Sequence, residues 1–183
     1  MKEKIIGIIP ARMAASRFPG KPLKLIRGIP MLMHVYLRAS LFKAWNELIV
    51  AGCDKEIFDY CRDIKIPYIS TSKKHKRCLD RVFEAAKKIS KTKSQIKKND
   101  IIVCVQGDEP MLRPDMIDTV IKSIKKNKNA GSIVLGMFIN DKKQFIDPNI
   151  VKIIHNKNNE VLYTSRSPVP YCKVFSSKLK AKR

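Results

Sequence analysis

A doubly wound α/β fold with a mostly parallel sheet is predicted by three observations on the 183-residue chain. The apolar runs at residues 4–9, 47–51 and 101–105 are continuous rather than alternating, as in strands covered on both faces. Stretches of helical periodicity separate them, giving a βαβαβ rhythm whose strands must run parallel through right-handed crossovers. Two of the runs end in polar tips rich in glycine and charge, at the strand ends where open α/β sheets place ligands.

The opening run, 4–9, is read as a buried strand because Pro10 leaves no room for a helix. It delivers the loop Pro10-Ala11-Arg12-Met13-Ala14-Ala15-Ser16-Arg17-Phe18-Pro19-Gly20-Lys21-Pro22. Arg12, Arg17 and Lys21 lie within ten residues of one another, three prolines stiffen the loop, and Gly20 permits a close backbone approach. Guanidinium forks and an ammonium converging on one strand tip suit a polyphosphate, whose charge is spread over many oxygens. The competing reading is a solvated basic loop. The glycine spacing excludes a Walker loop.

Residues 23–28 read as a short strand and turn, and Pro30 opens a helix over 30–43 with Met31, His34, Val35, Leu37 and Leu41 near one face. His34 is therefore a packing or capping residue. A strand over 47–51 leads to Asp54 as an N-cap and a helix to residue 64, and a third strand covers 67–70. Residues 71–82 lead into a helix ending near 89, and 90–99 form a lysine-rich surface connection. The strand at 101–105 then runs into Gln106-Gly107-Asp108-Glu109-Pro110, where Gly107 permits a turn that points Asp108 outward. A carboxylate at such a tip suits magnesium, which keeps most of its waters and takes one or two carboxylates plus substrate phosphates. Taken alone, Asp108-Glu109-Pro110 is more often an ordinary turn. A helix over 114–126, strands over 132–139 and 150–154, a turn at 156–160 and a strand over 161–164 complete the expected order.

A hydrophobic content of 44% is that of a globular protein, but the formal net charge of +22 is extreme. The lysines are scattered over presumed helix faces and turns, with no aromatic residues interleaved as a single-strand groove requires, which argues against nucleic-acid binding. Cys53, Cys61, Cys78, Cys104 and Cys172 contain no CxxC pair and read as reduced thiols. With no leader-like segment and no apolar run of membrane-spanning length, a cytoplasmic protein is expected.

Three tracts together are similar to the CMP-sugar synthetases, most closely those acting on 3-deoxy-manno-octulosonate (Kdo). They are the loop from Pro10 to Pro22, the run Val105-Gln106-Gly107-Asp108-Glu109-Pro110, and Asn149-Ile150-Val151-Lys152 leading to Leu162-Tyr163-Thr164-Ser165-Arg166-Ser167-Pro168-Val169-Pro170. The resemblance implies a Rossmann-like sheet of the nucleotide-diphospho-sugar transferase type, with a nucleotide-binding core over 1–140 and the start of a sugar-binding and dimerisation region over 141–183. It implies CTP and an acidic sugar as substrates, Mg2+ as cofactor and a homodimer, in the service of lipopolysaccharide synthesis. Arg12, Ser16, Arg17, Gly20, Lys21, Arg81 and Gln106 are implied to bind the nucleotide, Arg12, Lys21 and Asp108 to be catalytic, Asp108 to hold the metal, and Gln106 and Arg166 to bind the sugar acid. Alternatives are another sugar acid, sialic-acid-like or an amino analogue of Kdo, or a catalytically impaired nucleotide- or nucleic-acid-binding relative.

Two departures from the family pattern stand out. Arg77, Cys78 and Leu79 replace small residues of a loop that receives the base, although His75, Asp80 and Arg81 keep their places. Ala15 stands where the family has a hydroxyl. Family members also continue past the point corresponding to Arg183, through a second metal-binding aspartate, and residues 173–183 contain no acid. The expectation is thus a fragment, or a shortened relative with one metal carboxylate and reduced or absent activity.

Overall fold

In the computed structural model, which describes residues 3–14, 18–92, 95–171 and 181–182, strand β1 (Ile5–Pro10) is buried along its whole length. It is flanked by β4 (Glu47–Gly52) and β6 (Ile101–Cys104), and β4 pairs in turn with β5 (Tyr68–Ser70). All three pairings are parallel, in the order β5-β4-β1-β6. Successive strands therefore step to one side of β1 and then to the other, which puts a topological switch point between the carboxyl ends of β1 and β6.

Alternation along β1 divides the core into two layers. Ile5 and Ile9 face α1 (Met31–Ser40), α2 (Lys55–Asp63) and α4 (Pro114–Lys126), packing with Leu32, Val35, Ile57, Cys61, Ile117 and Ile121. Ile6 and Ile8 face α3 (Cys78–Thr92), packing with Val82, Ala85, Ala86 and Ile89. Each fully buried isoleucine removes enough apolar surface from water to contribute about 1.5–3 kcal/mol. These residues and their helices belong to one compact unit, 1–126.

Several expected elements are corrected. The helix expected over 30–43 is α1, ending at Ser40, and residues 23–30 form a two-strand hairpin, β2 (Leu25–Ile26) and β3 (Ile29–Pro30). Its turn takes positive φ at Arg27 and Gly28, 49° and 81°. His34 donates through Nε2 to the Ile26 carbonyl at 2.9 Å, tying helix to hairpin. Strand β6 is only half buried rather than covered on both faces, because it has β1 as its one neighbour in the four-stranded sheet of the described residues.

The second unit, 127–183, carries an antiparallel sheet ordered β7-β10-β8-β9, from β7 (Phe138–Ile139), β10 (Ala181–Lys182), β8 (Lys152–His155) and β9 (Val161–Ser165). The strand expected over 132–139 shrinks to β7; apolar content at Val134, Leu135 and Met137 does not make a strand where no neighbouring chain among the described residues takes up its hydrogen bonds, and these three side chains are exposed. A short helix, α5 (Lys142–Ile146), was not expected. Asp141 caps it by accepting the Gln144 amide at 2.8 Å, an Asp-x-x-Gln signature legible in hindsight.

Lys152 is fully buried and forms no salt bridge among the described residues, although the Asp147 carboxylate acts on it through space. Its ammonium instead donates to the carbonyls of Asp147, Ile150 and Arg166 at 2.7, 2.9 and 3.0 Å, and burial lowers its pKa. Lys152→Met keeps the volume but strips three carbonyls of their donor, so it is expected to cost about 2–4 kcal/mol in chemical denaturation. An unchanged denaturation midpoint would contradict this role.

Candidate active site

The two polar tips meet at the switch point. Lys21 Nζ and Asp108 Oδ2, 87 positions apart in sequence, form an ion pair at 3.0 Å. Around them opens a cleft of about 520 Å³, lined by Arg12, Phe18 and Lys21 from the first tip, Gln106, Gly107 and Asp108 from the second, and His75, Lys76, Arg77, Cys78 and Arg81 from the segment entering α3.

Local structure explains how each tip is held. Beyond β1 the chain stays pinned to the sheet, since the Ala11 amide donates to the Ala51 carbonyl at 2.9 Å and the Met13 amide donates to Asp54 Oδ2 at 2.9 Å. Asp54 sits at the start of α2 but makes no capping hydrogen bond there; its carboxylate serves the Arg12 loop instead. Gly20, at φ 72°, turns the loop into a 3₁₀ turn at Lys21–Leu23, a conformation that any side chain would strain. Gly107 has a different reason to be glycine from the one expected. Its φ is not in the left-handed region, but a Cβ there would fall 2.3 Å from the Pro10 carbonyl oxygen, so the two strand tips touch backbone to backbone.

The third wall is anchored by Glu84 on α3. Its carboxylate accepts the Ser72 amide at 2.8 Å, the Lys88 ammonium at 2.9 Å and a contact from His75 Nε2. Lys88, the Ser72 amide and His75 together hold the Glu84 carboxyl down to about 2, against an ordinary value of 4.5. A carboxyl that ionises more readily folded than unfolded gives stability that is complete above pH 4.5 and lost as pH falls towards about 2. The melting temperature of Glu84→Gln is accordingly expected to fall less steeply than that of the unaltered chain across that interval; parallel acid limbs would refute the assignment.

Arg81 is buried, 3% exposed, and donates to Thr71 Oγ1, which donates in turn to the Gly52 carbonyl at 2.9 Å. Gln106 is exposed, its amide 4.0 Å from the Cys78 sulfur. Of the sequence-derived candidates, Arg12, Lys21, Arg81, Gln106 and Asp108 thus share one cleft, and Gly20 shapes the approach to it. Ser16 and Arg17 lie outside the described residues. Arg166 belongs to the second unit, exposed, with Nη1 donating to the Pro148 carbonyl at 2.8 Å. Sequence reasoning read Asp54 only as an N-cap, missed Glu84, passed over Lys76, and took Arg77 only as a bulky replacement in the base-receiving loop; the amides that Asp54 and Glu84 accept come from residues distant in sequence.

A family model described as cytidylyltransferase matches residues 6–182. The chain belongs to the cytidylyltransferase family. It is 39% identical over 166 residues to the 3-deoxy-manno-octulosonate cytidylyltransferase of Thermodesulfovibrio yellowstonii, an alignment covering 91% of this chain and 65% of that protein. The enzyme of the same name from Saccharophagus degradans is also 39% identical, with 91% and 63% covered. Among solved structures, CMP:2-keto-3-deoxy-manno-octonic acid synthetase complexed with CTP superposes with a TM-score of 0.84 at 32% identity, over 98% of this chain and 70% of that one. The fold alone is shared with 4-diphosphocytidyl-2C-methyl-D-erythritol synthase, TM-score 0.61 at 15% identity. The chain spans a little under two thirds of the length of the curated cytidylyltransferases it matches, 65% and 63% for those two.

A resident metal would need a cage of several ligands, and the described residues gather no group of three or more His, Cys, Asp or Glu. An ion carried on nucleotide phosphates needs only one or two protein carboxylates, and Asp108, half exposed in a cleft of cations, fits that requirement.

Proposed function

We propose that this chain carries the nucleotide site of an enzyme that activates Kdo with CTP, giving CMP-Kdo and pyrophosphate for lipopolysaccharide synthesis. The observation that carries the reading is the Lys21–Asp108 pair, which joins the two strand tips in one cleft. The 3-deoxy-manno-octulosonate cytidylyltransferases at 39% identity support the choice of sugar and nucleotide.

In this reading the anomeric hydroxyl of the sugar acid attacks the α-phosphorus. A new P–O bond forms, the bond from the α-phosphorus to the bridging oxygen breaks, pyrophosphate leaves and the hydroxyl proton passes to solvent. Arg12 and Lys21 bind the triphosphate and neutralise the charge that grows on the leaving group. Asp108 would hold Mg2+, which supplies Lewis-acid polarisation and acidifies the attacking hydroxyl. Buried Arg81 and the wall before α3 orient the nucleotide, and Gln106 hydrogen-bonds substrate. Arg166 pairs with the sugar carboxylate through its planar fork. Positioning supplies much of the rest, without a covalent intermediate. A homodimer and a cytoplasmic setting go with the reading; no helix of the described residues is long and apolar enough to cross a membrane.

Pyrophosphate release by the full chain with CTP, Kdo and Mg2+ tests the proposal. Release that requires both substrates supports it. Release with a sialic-acid-like acid in place of Kdo would move the assignment to another sugar. No release with any acid, together with single-stranded DNA binding that survives moderate salt, would overturn it in favour of a nucleic-acid-binding relative.

A further inference from the structure

The cleft contains more positive charge than the triphosphate ligands assigned above. Lys76 and Arg77 line it, both are exposed, and neither makes a hydrogen bond or ion pair among the described residues. The acid of the lining, Asp108, is already engaged by Lys21.

The segment bearing Lys76 and Arg77 is also ordered in advance. Glu84 fixes its start through the Ser72 amide and its middle through His75, and the Lys74 amide donates to Ser72 Oγ at 3.1 Å. Glu84 itself is already engaged by the Lys88 ammonium and by His75, so it does not draw the two free cations out of the cleft. An unpaired cation on an ordinary mobile loop is a solvated surface charge. Two such cations on a loop pinned at Ser72 and at the adjoining His75, facing a cavity, are a preorganised anion grip.

We infer that Lys76 and Arg77 are additional phosphate ligands of this cleft, so that nucleotide triphosphate and pyrophosphate are gripped from the segment before α3 as well as from the β1 loop. Glu84 is the positioning residue for that second arm. The inference rests on the polyphosphate reading of the cleft and adds to it a pair of residues and a consequence. Binding that persists after transfer makes pyrophosphate a strong product inhibitor, and the grip is directed at charge rather than at the base.

Calorimetric titration of the full chain with inorganic tripolyphosphate, and separately with pyrophosphate, tests it. The double variant K76S/R77S is expected to raise Kd at least tenfold for both. K73S/K74S removes the same charge from neighbouring exposed positions outside the cleft lining and is expected to stay within twofold of the unaltered chain. E84Q is expected to fall between them, and R12A/K21A to weaken binding independently. In turnover, K76S/R77S should raise KM for CTP with kcat nearly constant, as for uniform binding. Equal Kd values for K76S/R77S and K73S/K74S would overturn the inference. If R12A/K21A still lost affinity in that case, the polyphosphate reading would stand without it; no tripolyphosphate binding by the unaltered chain would overturn both.

Discussion

Asp108→Asn is expected to lower the rate of pyrophosphate release by about a thousandfold, roughly 4 kcal/mol in the barrier, while the melting temperature moves by no more than a few degrees. The two effects separate because the carboxylate has two different jobs. In the resting chain it pairs with Lys21 at 3.0 Å, with 55% of its side chain exposed, and a pair so open to water contributes about 0–1 kcal/mol to folding. In the proposed reaction it would hold Mg2+, and an amide is a poor hard-cation ligand. Freed from Asp108, Lys21 keeps its full charge for phosphate, so CTP without Mg2+ should bind the variant at least as tightly as the unaltered chain. Steady-state release assays and calorimetry read both quantities. A variant with near-normal turnover would remove Asp108 from the chemistry.

Gly107→Ala is expected to damage both stability and activity. The added Cβ lies 2.3 Å from the Pro10 carbonyl oxygen, with the Pro10 carbonyl carbon at 3.4 Å and Ile9 Cγ2 at 3.6 Å. Backbone of a fully buried strand cannot rotate away as a side chain can, so the two tips must separate. Overpacking of this kind costs about 3 kcal/mol, or roughly 6–12 °C in Tm for a chain of this size. Asp108 follows directly, and moving a reacting group by about 1 Å costs on the order of a hundredfold in rate. A melt and a release assay on the same preparation check the pair of effects. An alanine variant as stable and active as the original would mean that the contact between tips does not exist.

The parallel sheet and the place of the cleft were legible because both are written locally. Wholly apolar β1 allows no other position than the centre of a covered sheet, and the cations and the aspartate sit immediately after strand ends, where chain topology alone brings them together. What escaped was decided by partners far away in sequence. Nothing near residue 101 says that β6 has one neighbour among the described strands and is half exposed. Asp54 has every local mark of an N-cap, yet its carboxylate is taken by the Met13 amide 41 positions earlier. Glu84 is passed over in the sequence because the Ser72 amide and His75, 12 and 9 positions earlier, converge on it only in the folded chain. Arg77 stands out in sequence only as a bulky replacement in the base-receiving loop, and Lys76 not at all; their place in the cleft is what marks them as a pair.

The most direct test is a crystal structure of the full chain with CTP and Mg2+. The triphosphate is expected between the β1 and β6 tips, with phosphate oxygens within hydrogen-bond reach of Arg12 and Lys21 and with Asp108 turned from Lys21 to the metal. A nucleotide bound elsewhere on the molecule, leaving the Lys21–Asp108 pair at its present 3.0 Å, would contradict the account.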